Sequence, residues 1–402
     1  MRTFALVLFF CLGVALAANP QSAQPQAQSA KRVDALYYTQ ENLLVNGQVK
    51  TTTYLQRIPV GSLEELNRLT RLIDQPARQG GWEFDAARKS WILRDEVGLA
   101  VAPRRARELY QRALSTGQRE FYLPVAYTQP GRGALYHYRI GIRQMLAEAT
   151  TSFGGSSRER AYNIWLGARK LNGQIVAPGQ VFSFSARMGD VSLATGFRNA
   201  FVISGERTVE GVGGGMCQVS TTLFRSAYFS GLPIVARRPH SYQVRYYLPT
   251  GLDAAVFLPQ LDLRFRNDTP GHIMIQSYVG RGRITFRIFG TKDRSVSWTN
   301  PVVSRVIPAP ATRFIVTDQL PRQAFRQVDW AAQGAVVNVY RTVRHSDGRT
   351  VRDTLTSNYK PWGAVWMVGP GTRLRDGRVL YATNDDAADD HGYQLPTQTA
   401  SR

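Results

Sequence analysis

Gly211-Val212-Gly213-Gly214-Gly215-Met216-Cys217-Gln218-Val219-Ser220-Thr221-Thr222-Leu223-Phe224 is a glycine-rich loop running into a helix, and its reading organises the rest of the chain. Val219, Leu223 and Ala227 recur at spacing four, with Phe224 and Tyr228 beside them, which predicts a helix over 217–230. Gly231 and Pro233 end it. Cys217 then sits in the first turn, where unpaired amides and the positive dipole end favour a thiolate. The glycines let backbone approach a ligand closely and aim amides at a developing oxyanion. Gly213, Gly214 and Gly215, together with Gln218 and Ser220, are therefore candidates for an oxyanion or ligand loop. Glycine-rich loops before helices also cradle phosphates, but the Lys-Ser/Thr pair of a P-loop does not follow here.

Upstream, residues 160–170 read as a helix closed by Asn172-Gly173, and Pro178-Gly179 turns the chain into the apolar run 181–185. Strands are expected at 200–204 and 207–212, joined through Gly205-Glu206. Downstream, strand-like runs at 242–247, 254–257, 261–266, 272–279 and 283–289 complete a largely antiparallel meander. The fold class expected is α+β. A central domain, 135–292, packs a helix on a mostly antiparallel sheet, flanked by a small α+β domain over 32–130 and a small β module over 296–369. In the first flank, Ser62 caps a helix carrying Leu63, Leu66, Leu69 and Leu72, and Pro103 opens another.

Twenty-three residues beyond Cys217, Pro239 forces extension into His240-Ser241-Tyr242-Gln243-Val244-Arg245-Tyr246. Alternation along a strand places His240 on one face with Tyr242, Val244 and Tyr246. The turn Pro249-Thr250-Gly251 sends the chain back so that Asp253 lies beside His240 in an antiparallel pair. Cys217, His240 and Asp253 are the parts of a thiol-based acyl-transfer site: nucleophile, proton carrier and orienting carboxylate. Each also has an ordinary structural reading. A lone cysteine is often a small buried hydrophobe, a histidine on an apolar strand face a satisfied core residue, and an aspartate after a Pro-Thr-Gly turn a cap for that turn.

The N-terminus has Arg2, an uncharged apolar run from 3 to 17, and the small-residue pattern Ala15-Leu16-Ala17. This reads as a secretory signal peptide cleaved near Ala17-Ala18, followed by a Gln/Ala/Ser/Pro linker over 18–31. The run is short of the roughly 20 apolar residues of a membrane-spanning helix, so no transmembrane segment is expected in the mature chain. Cleavage removes Cys11 and leaves Cys217 as the only thiol, which excludes an intramolecular disulfide. One cysteine and scattered histidines show no paired ligand spacing, so neither a metal nor a cofactor is expected. The net charge of +21, carried by 44 arginines against six lysines, favours anionic wall polymers or lipid head groups. The arginines form no run of five, which argues against a dedicated nucleic-acid site. Residues 370–402, with Asn384-Asp385-Asp386 and Asp389-Asp390, read as a mobile acidic tail.

Asn163-Ile164, Leu171-Asn172-Gly173, Pro178-Gly179-Gln180-Val181-Phe182-Ser183-Phe184, the segment from Gly213 to Leu223, His240-Ser241 and Gly251-Leu252-Asp253-Ala254 together resemble the VanW-like family over about 150–290. The resemblance implies a bacterial envelope setting and brings no established reaction with it. Residues 45–128 more weakly resemble the peptidoglycan-binding domain that commonly precedes VanW domains. Residues 296–369 faintly resemble the G5 module, which is associated with wall sugars. The order Cys217, His240, Asp253 is also similar to transglutaminase-like and papain-like cores. Two functions follow as expectations: a cysteine-dependent acyl-transfer or amide-cleaving enzyme acting on peptidoglycan peptides, or a non-catalytic cell-wall-binding scaffold.

Overall fold

The computed structural model describes residues 32–204 and 207–380. The expected signal peptide, the linker, the Gly205-Glu206 turn and the acidic residues beyond 380 lie outside the described residues. The chain is mixed α+β with mostly antiparallel sheets, and it divides into two compact units. Residues 40–52 and 77–97, within the stretch read as the first domain, belong to the second unit.

The first unit takes 32–39, 53–76 and 98–128 of the described chain. Its helix α1, Leu63–Ile73, starts where the Ser62 side chain accepts from the Glu65 amide, while the Glu65 carboxylate reaches back to Gly61 N–H at 2.7 Å. The four leucines at spacing three do not all share a face, because each step of three falls about 60° short of a full turn and the drift accumulates. Leu66 and Leu69 are buried with Thr70 and Ile73, whereas Leu63 and Leu72 are exposed. Helix α2, Pro103–Thr116, has proline in its first turn and ends at Gly117 in the left-handed region. Both helices share a core with Val33, Ala35, Val101 and Phe121.

In the second unit the strands Gln144–Ser152, Arg283–Gly290, Ile273–Gly280 and Ile175–Val176 form an antiparallel sheet in that order. Helix α3, Ala134–Arg139, precedes it, and helix α4, Arg158–Leu171, lies near the central strands. A short helix α5, Phe184–Met188, is followed by α6, Met216–Phe229. Asn199–Ser204 and Arg207–Val212 pair antiparallel as expected. In α6, Val219, Leu223, Phe224 and Ala227 are wholly buried, the larger three worth about 1.5–3 kcal/mol each. The spacing predicts an amphipathic helix, but the other face is buried too. Ser226 donates to Phe286 O at 2.9 Å, and Thr222 Oγ1 lies 2.7 Å from Thr151 Oγ1.

Two expected strands are absent. Residues 242–247 run as a loop ending in a 3-10 turn, Arg245–Tyr247, and 254–257 carries isolated bridges alone. Buried side chains satisfy this loop in place of a strand partner. Arg225, from the middle of α6, donates to the carbonyls of Leu252 at 2.6 Å, Leu248 at 3.1 Å and Pro249 at 3.3 Å, and also to that of Tyr247. His240 accordingly does not share a strand face with Tyr242, Val244 and Tyr246. It packs against Tyr247, with the rings tilted and their centroids 4.7 Å apart.

The stretch after 293 is β throughout its regular elements. Gly334–His345 pairs with Arg294–Trp298, Val302–Ile307 and Thr350–Tyr359, and a smaller sheet joins Arg313–Val316, Val365–Val368 and Phe325–Asp329. Val339 joins the central core, with Leu355 packed against it. Arg341 donates to Tyr228 O and Leu232 O, and Arg294 to Gly231 O, so arginines meet the negative end of α6. Thr372–Arg373 pairs with Val379–Leu380, so a hairpin occupies the start of the stretch read as a mobile tail.

Candidate active site

The α6 N-terminus depends on two glycine conformations. Gly213 has φ +82° and Gly215, the N-cap, has φ +109°, both in the region that favours glycine. Space is also restricted: a Cβ on Gly215 would lie 2.7 Å from Ile164 Cγ1, and one on Gly213 2.3 Å from Val191 Cγ1. Asn163 ties the loop to α4, donating to Gly214 O at 3.2 Å and Arg198 O at 2.9 Å. No partner is found among the described residues for the amides of Gly214, Gly215 and Cys217.

Cys217 remains partly exposed, although protein surrounds it densely. Its sulfur donates to Val256 O at 3.5 Å. His240 is buried at 3% exposure, and its Nε2 has no aligned hydrogen-bond partner among the described residues. The ring is still close enough to Cys217 for each group to govern the other's proton. Burial alone would raise the thiol, but the charge of His240 and contact with its ring outweigh burial and hold the thiol below its ordinary value. For His240 burial works downward. The Cys217 charge and the hydrogen bond that the ring donates to Asp253 overcome it and raise the imidazole from 6.5 to about 9. The pair therefore favours thiolate and imidazolium.

An isolated antiparallel bridge between Arg238 and Ala255 brings Asp253, two residues before Ala255, to His240, two residues after Arg238. Asp253 Oδ2 accepts from the His240 amide at 2.8 Å and faces Nδ1 at 2.5 Å. Oδ1 accepts from Tyr359 Oη at 2.5 Å and from Arg237 at 3.3 Å. Burial would raise this carboxyl, but the His240 hydrogen bond and charge, with Arg237, bring it down from 3.8 to about 2. An ionised Asp253 that only accepts fixes the proton on Nδ1 and leaves Nε2 toward the thiol.

Of the expected residues, Cys217, His240 and Asp253 come together beside the 213–215 loop. Gln218 and Ser220 are engaged elsewhere. Gln218 is wholly buried, accepting from Arg160 at 2.8 Å and donating to Ser152 O at 2.8 Å and Thr151 Oγ1 at 3.1 Å. Ser220 donates to Ala254 O at 2.6 Å, holding the Asp253 segment against α6. Sequence reasoning missed Arg225, Arg237, Tyr247 and Tyr359. Arg225 alone left a local trace, as a charge inside the apolar run Leu223-Phe224-Arg225-Ser226-Ala227. A cleft of about 440 Å³ lined by Tyr228, Arg237, Arg341 and Asp353, and another of about 280 Å³ lined by Arg225, Pro249 and Trp298, are not lined by Cys217 or His240.

Residues 159–289 match the family described as "VanW like protein". The chain is 38% identical over 134 residues to the uncharacterized protein YoaR of Bacillus subtilis (strain 168), covering 33% of this chain and 44% of that protein. It is 26% identical over 169 residues to the vancomycin B-type resistance protein VanW of Enterococcus faecalis (strain ATCC 700802 / V583), covering 40% of this chain and 56% of that protein. The chain thus spans about half the length of the curated relatives it matches. Cys217, His240 and Asp253 all fall inside the matched segment, and residues 159–289 are a VanW-like domain homologous to YoaR and VanW.

Proposed function

We propose that this chain is an exported cell-envelope enzyme that uses Cys217 for acyl transfer or amide cleavage on peptidoglycan peptides. The observation that carries this reading is the pairing of a partly exposed helix-N-terminal thiol with a buried imidazole whose other nitrogen faces Asp253 at 2.5 Å. The thiolate attacks the amide carbonyl carbon, and the carbonyl π pair moves onto oxygen, where the amides of Gly214, Gly215 and Cys217 face it. Collapse expels the amine, which takes the proton from Nε2 of the His240 imidazolium and leaves a thioester on Cys217. Water or an acceptor amine then attacks the thioester carbonyl carbon and gives its proton to Nε2. Thiolate and imidazolium are restored as the product leaves. The envelope setting is supported by the leader-like run over 1–17 and by the family resemblance, and the likeness of chain order to transglutaminase-like and papain-like cores supports the chemistry. Muropeptide turnover should be lost in both Cys217→Ala and Cys217→Ser; turnover unchanged in either variant would sink the proposal.

One observation favours a non-catalytic wall-binding scaffold: the +21 charge, borne mainly by arginine, suits anionic glycopolymers. That reading predicts salt-sensitive binding to isolated cell wall that survives Cys217→Ala in a chain without turnover.

A further inference from the structure

We infer that Tyr359, supplied by the C-terminal β module, is a positioning residue for the Cys217–His240 pair, so that the working site includes this module as well as the VanW-like domain. The inference rests on the enzyme reading above and extends it beyond residues 159–289. It starts from a count of protons. The Tyr359 hydroxyl accepts the Gly251 N–H at 2.9 Å, so its single proton is free to point at Asp253 Oδ1, 2.5 Å away. Asp253 Oδ2 takes both contacts from His240. Each carboxylate oxygen thus has its own task, and rotation of the group would exchange them. Tyr359 resists that rotation from one side and fixes Gly251, two residues earlier, from the same atom.

The module grips the surrounding loop at further points. Ser357 donates to Gly251 O at 3.1 Å and accepts from Arg237 at 2.8 Å. Tyr242 stacks on Trp362 with centroids 4.2 Å apart, and Lys360 N–H donates to Ser241 O at 2.7 Å. The charged and titratable groups facing Asp253 and His240 are Arg225 from α6, Arg237, Tyr247 of the 3-10 turn, Cys217, and Tyr359. Tyr359 alone comes from beyond the matched segment. A tyrosine serving the fold alone would need the Gly251 contact. It would not need its proton aimed at the carboxylate that orients His240.

The test reads the thiol without substrate. In the full chain, the rate of Cys217 alkylation by iodoacetamide is followed against pH for wild type and Tyr359→Phe, with Cys217→Ala as blank and thermal melting of each sample. Without that anchor Asp253 should turn away from Nδ1, the imidazolium should be held less firmly, and the midpoint for thiolate appearance should move up, by up to about one pH unit. A lower melting temperature with an unmoved midpoint would reduce Tyr359 to a structural residue and overturn the inference. Should Tyr359→Phe fail to fold, a fluorinated tyrosine at 359 keeps the volume and both hydrogen bonds while strengthening the donor. It should displace the midpoint, and an unmoved midpoint again overturns the inference. Because no peptide is turned over, failure of the muropeptide assay and failure of this one are separate results.

Discussion

Replacing Asp253 by asparagine tests the electrostatic core of the site with almost no change in shape. Four donors converge on its two oxygens: the His240 amide, Nδ1, the Tyr359 hydroxyl and Arg237. An asparagine must turn its NH2 toward one side, donor against donor. If it faces His240, Nδ1 becomes an acceptor, the ring proton moves to Nε2, and the base facing Cys217 is lost. The fall of the Asp253 carboxyl from 3.8 to about 2 corresponds to about 2 kcal/mol in favour of its ionised form, at about 1.4 kcal/mol per unit. The rise of His240 from 6.5 to about 9 corresponds to about 3 kcal/mol of net pairing with Cys217 and Asp253. Without the carboxylate, His240 loses part of that gain and the thiol returns toward its ordinary range. A thiol near pKa 8.5 is about 3% ionised at pH 7, so alkylation of Cys217 at pH 7 should fall toward the rate of such an ordinary thiol. Urea unfolding should show a second effect. Asp253 has a lowered folded pKa, so its contribution is present above 3.8 and lost as pH falls through about 2. Wild type should lose about 2 kcal/mol across that window that Asp253→Asn does not lose. An alkylation profile shared by wild type and variant would refute the reasoning.

Turnover should follow a bell in pH, rising as the lowered thiol ionises and falling through about 9 as the His240 imidazolium loses the proton it gives to the leaving amine; both limbs belong to the coupled pair, and a flat rate between pH 8 and 10 would contradict the assignment. Arg225→Met should destabilise the chain by about 3–5 kcal/mol in urea, because it strands the carbonyls of Tyr247, Leu248, Pro249 and Leu252 around a buried site. Gly215→Ala should cost more than about 1 kcal/mol through its φ of +109° and the 2.7 Å approach to Ile164, and melting temperature with circular dichroism would expose a silent substitution.

What could be read from the sequence, and what could not, divides along sequence separation. The loop and helix around Cys217 were legible because their determinants are local: glycines at 213–215, apolar spacing from Val219 to Ala227, and a stop at Gly231. The approach of His240 to Asp253 was legible for a different reason than expected. One bridge, Arg238 with Ala255, keeps the antiparallel register that a strand pair was expected to supply, although neither strand forms. Period-two alternation misled at 242–247 because it reports side-chain polarity and says nothing of where the backbone carbonyls go. Here Arg225 takes the carbonyl of Tyr247 at the end of that run, and those of Leu248, Pro249 and Leu252 beyond it. The same blindness applies to Ser220 and Gln218: buried polar residues on a helix largely enclosed by protein bond to its neighbours, as Ser220 does to Ala254 O. Tyr359 left no signal at all. It lies 106 residues from Asp253 in sequence, and only the packing of the β module brings its hydroxyl to the carboxylate. A site with its nucleophile in one segment and its carboxylate held by another is visible locally as a cysteine, a histidine and an aspartate. The group that orients them is visible only once the chain has folded.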